Sequence, residues 1–270
     1  MMIVKITEKF SIAWLPMILL LVITNNKPVS SFSGDGPYNH DRITRIALDE
    51  FAKKTGWELG FECSQILIQG TIVNDNAAFQ DPTYHCNNNN IAGCSYRLDQ
   101  LEGKAAKEIV STEAFIKMGM ALHIIHDFYA HSNWVEKLQI SMIIAPLENF
   151  KDIPPPHWLQ SGYYPNFYLP DPYATVYCFI IPEEQWGEHF EGATHACLNK
   201  NANTKLRGMQ WVPNGGGMTY HELAGKYAIK HTVKKLEEFK ANNTYFQLCL
   251  RPRGFVGCRD FFNKSIQRNL

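Results

Sequence analysis

Three stretches of the chain repeat apolar residues at helical spacing. In "HDRITRIALDEFAKKTG", starting at His40, the residues Ile43, Ile46, Ala47 and Phe51 share one side. Asn39 is placed to cap that helix and Gly56 to end it. A second helix is expected from about Thr112 through Trp134, with Phe115, Met118, Gly119, Leu122, Ile125 and Tyr129 as its stripe. A third, "TYHELAGKYAIKHTVKKLEEFK", aligns Leu223, Ala224, Tyr227, Ala228 and Leu236. A shorter helix is expected over "LDQLEGKAAKEIV". No alternating strand or hairpin pattern stands out, so the fold class expected is all-α. Two regions read as irregular: the Asn-rich residues 71–97, and 146–217, which hold most of the prolines and the "NGGG" turn. The second also carries Trp158, Tyr163, Tyr164, Phe167 and Tyr168. These aromatics read either as pins holding a loop to the core or as a membrane-contacting patch.

The first thirty residues form a separate object. Lys5 and Lys9 precede an uncharged run from Phe10 to Ile23, and a polar stretch with Ser30 and Ser31 follows. A charged start, a short apolar core and a small-residue end describe a secretory signal peptide. The run is shorter than the roughly 20 residues a bilayer span needs, and Pro16 interrupts it. Residues 1–31 are therefore expected to be a cleaved signal, and 32–270 one domain of a secreted protein. The seven cysteines all follow the signal, as an oxidising compartment would favour. Their spacing suggests short-loop pairs Cys86 with Cys94, Cys178 with Cys197 and Cys249 with Cys258, leaving Cys63 over. Asn242 and Asn263 begin Asn-x-Ser/Thr sequons. With 26 basic and 26 acidic residues, the chain has no basic excess for sequence-independent nucleic-acid binding, and no nucleic-acid partner is expected.

The chemistry concentrates in "ALHIIHDFYAHSNW", residues 121–134. His123, Asp127 and His131 lie four apart and overlie one another on a helix. Imidazole and carboxylate on an apolar face are costly unless bound, and both are good zinc ligands. Hydrogen-bonded core histidines are the alternative, and His126 points to the neighbouring face. Further ligands must come from elsewhere. His40, Asp75, His85 and His221 are the candidates, with His195 and His231 behind them. No Gly-x-Ser-x-Gly elbow and no phosphate-cradling Gly-x4-Gly-Lys loop competes.

"NHDRITRIALDEF", "DPTYHCNN", "ALHIIHDFYAHSNWVE" and "YHELAGKYAIKHT" occur in an order that resembles the N-terminal domain of Het-C (heterokaryon incompatibility) proteins. The resemblance covers most of residues 36–240 and is weakest over 146–217; "ATHACLNKN" looks like a degenerate family segment. More remotely, the arrangement is similar to bacterial zinc-dependent phospholipases C and related fungal zinc nucleases, which are all-α enzymes with a three-zinc cluster. The resemblance implies His40 as a ligand of one zinc. It implies Asp75, His85, His123 and Asp127 as ligands of a second, with Asp127 bridging and Asp81 a rival for Asp75. It implies His131 and His221 as ligands of a third, and a terminal-amine ligand if cleavage leaves Phe32 at the start. Two departures touch the third zinc: the spacing Asp127-x3-His131 replaces Asp-x5-His, and Gly225 stands where the phospholipases carry Glu. The function implied is a secreted zinc-dependent phosphodiester hydrolase, holding one to three zinc ions, with Asp75 as the catalytic carboxylate and a phospholipid or similar phosphodiester as substrate. The alternative is a metal-stabilised extracellular recognition module without turnover; a nuclease stands third.

Overall fold

A computed structural model describes residues 37–77, 81–162, 178, 195–202 and 207–254. Helix α1 (His40–Thr55) is followed by β1 (Trp57–Leu59), α2 (Phe61–Ala77), α3 (Pro82–His85), α4 (Ile91–Lys107), α5 (Ser111–His131) and α6 (Trp134–Leu138). Then come α7 (His195–Leu198), α8 (Tyr220–Asn242), α9 (Thr244–Leu248) and β2 (Leu250–Pro252). The protein is mostly helical, as expected. The one sheet among the described residues is the antiparallel pair β1–β2, with Leu59 opposite Leu250. No helix among the described residues is long and apolar enough to cross a membrane.

Helix α5 is the axis of the fold. From Ala121 to His131 every residue is buried, because α2, α4 and α8 enclose it. A helix buried all round can carry polar side chains only where they find partners, so its histidines and aspartate must be satisfied inside the protein. The crossing of α5 with α2 is close. A Cβ on Gly70 would stand 2.5 Å from Ile116 O and 2.9 Å from Gly119 Cα, and one on Gly119 would collide with Leu67 O. Two glycines thus let the backbones touch. The approach is locked by Asn74, which donates from Nδ2 to Met120 O at 3.2 Å.

The ends of α1 follow the sequence. Asn39 accepts from Arg42 N at 2.7 Å, and Gly56 closes the helix in the left-handed region. Helix α8 begins with a capping box between Thr219 and Glu222. The second expected helix ends at His131, and Trp134 opens α6 instead. The helix expected over 98–110 starts earlier, at Ile91, and stops at Lys107.

Two expectations need correction. Residues 71–97 are not irregular: α2 runs through Ala77, and α3 and the start of α4 fill much of the rest. The asparagines there are structural partners. Asn90 caps α4 by accepting from Gly93 N, and the Asn89 side chain accepts from Ser161 N at 2.7 Å. The cysteine pairing also differs. Cys63 pairs with Cys249 at a Cα separation of 6.4 Å, so Cys249 is not the partner of Cys258. The β1–β2 register and the bond from Gly60 N to Cys249 O carry Cys249 to the first turn of α2. The pairs Cys86–Cys94 and Cys178–Cys197 agree with the expectation, at Cα separations of 5.1 and 5.3 Å. Trp158 packs on Trp134 with ring centroids 5.4 Å apart, which pins that loop to the core. Tyr163, Tyr164, Phe167, Tyr168, the expected signal segment, Asn263 and Cys258 lie outside the described residues.

Candidate metal centre

Four helices meet at one buried point. Helix α1 supplies His40 from its first residue, α2 supplies Asp75 near its end, and α3 supplies His85 as its last residue. The middle of α5 supplies His123 and Asp127. His85 is held by unusual local structure. Asp81 caps the short helix, Pro82 opens it, and Cys86 leaves it in the left-handed region at φ 48°. The Cys86–Cys94 disulfide then ties this exit to α4.

The two carboxylates sit between the imidazoles. Asp127 Oδ2 lies 2.7 Å from His85 Nδ1 and 3.1 Å from His123 Nε2, while its Oδ1 lies 3.3 Å from His40 Nε2. Asp75 divides its oxygens the same way, with Oδ1 3.9 Å from His123 Nε2 and Oδ2 3.9 Å from His40 Nε2. His123 Nε2 is also 3.2 Å from His85 Nδ1. Two groupings therefore have metal-compatible spacing: His40, Asp75 and His123, and His85, His123 and Asp127. His123 donates from Nδ1 to the Thr71 carbonyl at 2.8 Å, which fixes the ring and aims Nε2 at the carboxylates.

Electrostatics mark the same atoms. Burial resists ionisation of Asp127, but His123 and the surrounding imidazoles hold its carboxyl well below the usual range. Burial also resists charging His123, yet the charge and hydrogen bond of Asp127, with Asp75 and the Thr71 carbonyl, raise it to about 9. Burial lowers His40 against the attraction of Asp127 and Asp75, and raises Asp75 against His40 and His123. Imidazoles packed 3.2 Å apart around a buried carboxylate cannot all carry protons. His85 Nε2 is buried and has no hydrogen-bond partner among the described residues. Buried imidazole nitrogens and carboxylate oxygens, with one nitrogen orphaned, fit a divalent metal.

Of the seven expected ligands, these five converge. His131 does not join them. It donates from Nδ1 to the His85 carbonyl at 3.0 Å, and its Nε2 lies 3.0 Å from Asn201 Oδ1. Burial, helped by the adjacent His195, holds it down to about 3 despite Asp127. His221 donates from Nδ1 to the Lys200 carbonyl at 2.7 Å. His195 packs edge-on against His131 at 4.6 Å, and His231 belongs to a separate cluster with Glu148. Asp81, the rival of Asp75, is turned away. Its oxygens accept from Thr83 N and Oγ1 and pair with Arg97.

Several contributors had no pattern to betray them. The Thr71 carbonyl is a backbone atom. Asn201 meets His131 only through the fold. Lys200 is wholly buried and donates to Ser132 O, Leu198 O and Glu136 Oε1, pinning the 198–202 segment against the end of α5. At position 225 a Cβ would collide with the Tyr38 ring, so the space that a glutamate would need is filled by an aromatic side chain. Comparison with family models, with curated proteins and with solved structures gave no match.

Proposed function

We propose that the protein is a secreted, zinc-dependent phosphodiester hydrolase of the phospholipase C-like type, built on a two-metal centre. The observation that carries this reading is the division of oxygens: Asp127 and Asp75 each turn one oxygen toward His40 and the other toward His123. Bridging carboxylates between two nitrogen-donor sets are the framework of a paired-metal centre. One half comprises His40 with Oδ1 of Asp127 and Oδ2 of Asp75. The other comprises His85 and His123 with the remaining oxygens. A bound metal pair supplies Lewis acidity, lowering the pKa of water and neutralising charge on a phosphoryl oxygen. Asp75 is the residue to take a proton. Burial raises its carboxyl, and at 3.9 Å from His40 and His123 it is held more loosely than Asp127, which leaves one oxygen to take a proton while the other is bound. Thr71 and Asp127 hold His123 in place.

Export is supported by the three cysteine pairs at disulfide distance. Asn242 is exposed at the end of α8, as a glycosylated sequon requires.

The recognition-module reading is favoured by one observation. Tyr38 closes the space beside Gly225, and no third donor set forms around His131 and His221 among the described residues. Elemental mass spectrometry of the purified protein, with hydrolysis assays on phospholipid and on an aryl phosphodiester, separates the readings. Two ions per chain with chelator-sensitive hydrolysis support the enzyme. Two ions with no turnover on either substrate favour the recognition module. No metal in protein never exposed to chelator removes both.

A further inference from the structure

His126 sits one residue before Asp127 and points away from the carboxylates. Its ring is fully buried, and its two nitrogens each have one partner. Nδ1 lies 3.0 Å from His40 Nδ1, and Nε2 lies 3.0 Å from Thr232 Oγ1 on α8. Metal-binding histidines usually rest their second nitrogen on a carbonyl or carboxylate, which fixes one tautomer. His123 follows that rule through Thr71. His40 instead rests on another imidazole, which can either donate or accept.

The chain of three groups has two consistent arrangements. In one, Thr232 donates to His126 Nε2, His126 donates from Nδ1 to His40 Nδ1, and His40 keeps its proton on Nε2, facing Asp127 Oδ1 at 3.3 Å. In the other, His40 donates from Nδ1 to His126 Nδ1, and His126 donates from Nε2 to Thr232 Oγ1. His40 Nε2 then presents a lone pair toward Asp127 and Asp75. Each ring holds one proton in both arrangements. In passing from the first to the second, water takes the Nε2 proton of His40, and His126 hands its Nδ1 proton to His40 Nδ1 and receives one at Nε2 from Thr232. Water returns one proton to the threonine hydroxyl, so the rings gain no net charge. The threonine hydroxyl can follow either way, because in the second state it turns its own proton to a carbonyl of the preceding turn. The first arrangement suits His40 between two carboxylates. The second suits a cation between His40 and those carboxylates, since a lone pair aimed at anions is otherwise repelled.

We infer that His126 and Thr232 form a tautomer relay that converts His40 between a hydrogen-bond donor to Asp127 and a metal ligand. The inference rests on the two-metal reading above and adds to it: the His40 half of the centre is switchable, whereas in the other half His123 is fixed by the Thr71 carbonyl. His126 is a positioning residue, acting on the metal through His40.

Zinc titration and nitrogen NMR of ¹⁵N-histidine-labelled protein test it. The expected spectrum shows His40 protonated at Nε2 after chelation and at Nδ1 after zinc loading. His126→Phe should weaken the His40 half by about 10- to 100-fold, the usual loss for an outer partner of a metal-bound histidine. The other half should keep its affinity. His126→Asn, whose amide oxygen stands where Nδ1 stood, should restore the second ion. His126→Gln, whose amide reaches only the Nε2 position, should not. A wild-type protein that binds one ion, or none, overturns the two-metal reading and the relay with it. A wild-type protein that binds two ions, matched by His126→Phe with the same affinities, overturns the relay alone. So does an unchanged His40 tautomer on loading.

Discussion

Two polar clusters in the core, one around Glu148 and one around Asp127, solve the same electrostatic problem in different ways. Around Glu148, the carboxylate is met by Lys235 at 3.0 Å, Lys234 at 3.3 Å and His231 at 3.0 Å. Lys235 also pairs with Glu102 and Glu238, and His231 passes its other nitrogen to Tyr129. That cluster brings its own cations. Among the described residues the partners of the Asp127 carboxylate are imidazoles, those of His40, His85 and His123. Those groups become strong donors to a metal once deprotonated, and weak cations when not. A carboxylate closed by lysine is a structural ion pair, and one ringed by imidazoles could hold a cation in lysine's place.

The comparison can be broken at its largest difference first. Asp127→Ala removes the oxygen atoms shared by both halves of the proposed metal centre. Zinc affinity should fall by well over about 100-fold, beyond the loss seen for outer partners alone. Elemental analysis after dialysis reads it, and retention of two ions would contradict the bridging geometry. In the other cluster Lys235→Met leaves Glu102 and Glu148 without their shared buried cation. It should cost about 3 kcal/mol in urea denaturation and leave metal content unchanged. A change in both readouts would mean the clusters are coupled.

Their pH responses should also diverge. Metal must displace the proton that His123 holds up to about 9, so apparent zinc affinity should drop about tenfold per pH unit below that value. In the Glu148 cluster burial lowers His231, so stability should fall as pH drops below the unfolded imidazole value of about 6.5 and stay level above it. Imidazole and ammonium neighbours depress Glu148 against burial, so its stabilisation is present above the unfolded carboxyl value of about 4.3 and lost as pH falls below it. Glu102 and Glu148 raise Lys235 against burial, so its share is present below about 10.4 and lost as pH rises through its elevated value. Calorimetric titration of zinc and urea melts across pH 5–9 check the contrast. The smallest effect is expected from Asp81→Ala. It removes a helix cap for about 1 kcal/mol and should leave zinc binding intact, whereas Asp75→Asn should impair it. Equal losses of zinc from both would return Asp81 to the ligand set.

How much of this was legible depended on whether the signal was local. His123 and Asp127 stand one helical turn apart on an apolar helix, and position in sequence alone places them together. The line does not extend to His131. Each step of four residues rotates about 40° around the axis, so eight residues carry it about 80° away, to the His85 carbonyl and Asn201. Helix α2 escaped for a different reason. In "QILIQGTIV" only Gln65 and Gln69 mark a polar face, and Gly70 beside them reads as a breaker. Only the contact with Gly119 explains that glycine. His126 was seen as a neighbour of the motif, but its partners lie 86 and 106 residues away. Cys63–Cys249 spans 186 residues, a separation that no spacing rule could anticipate.

That last bridge changes what the chain is as a covalent object. With Cys63 joined to Cys249, residues 63–249 form a closed ring carrying two tails. A single protease cut anywhere within the ring only opens it, so the protein would run at full mass until reduced. His40, on one tail, and Thr232, on the ring beyond α7, would stay tethered after such a cut. Activity measured on nicked but unreduced material would therefore report on the folded protein, and reducing gels would overstate the damage.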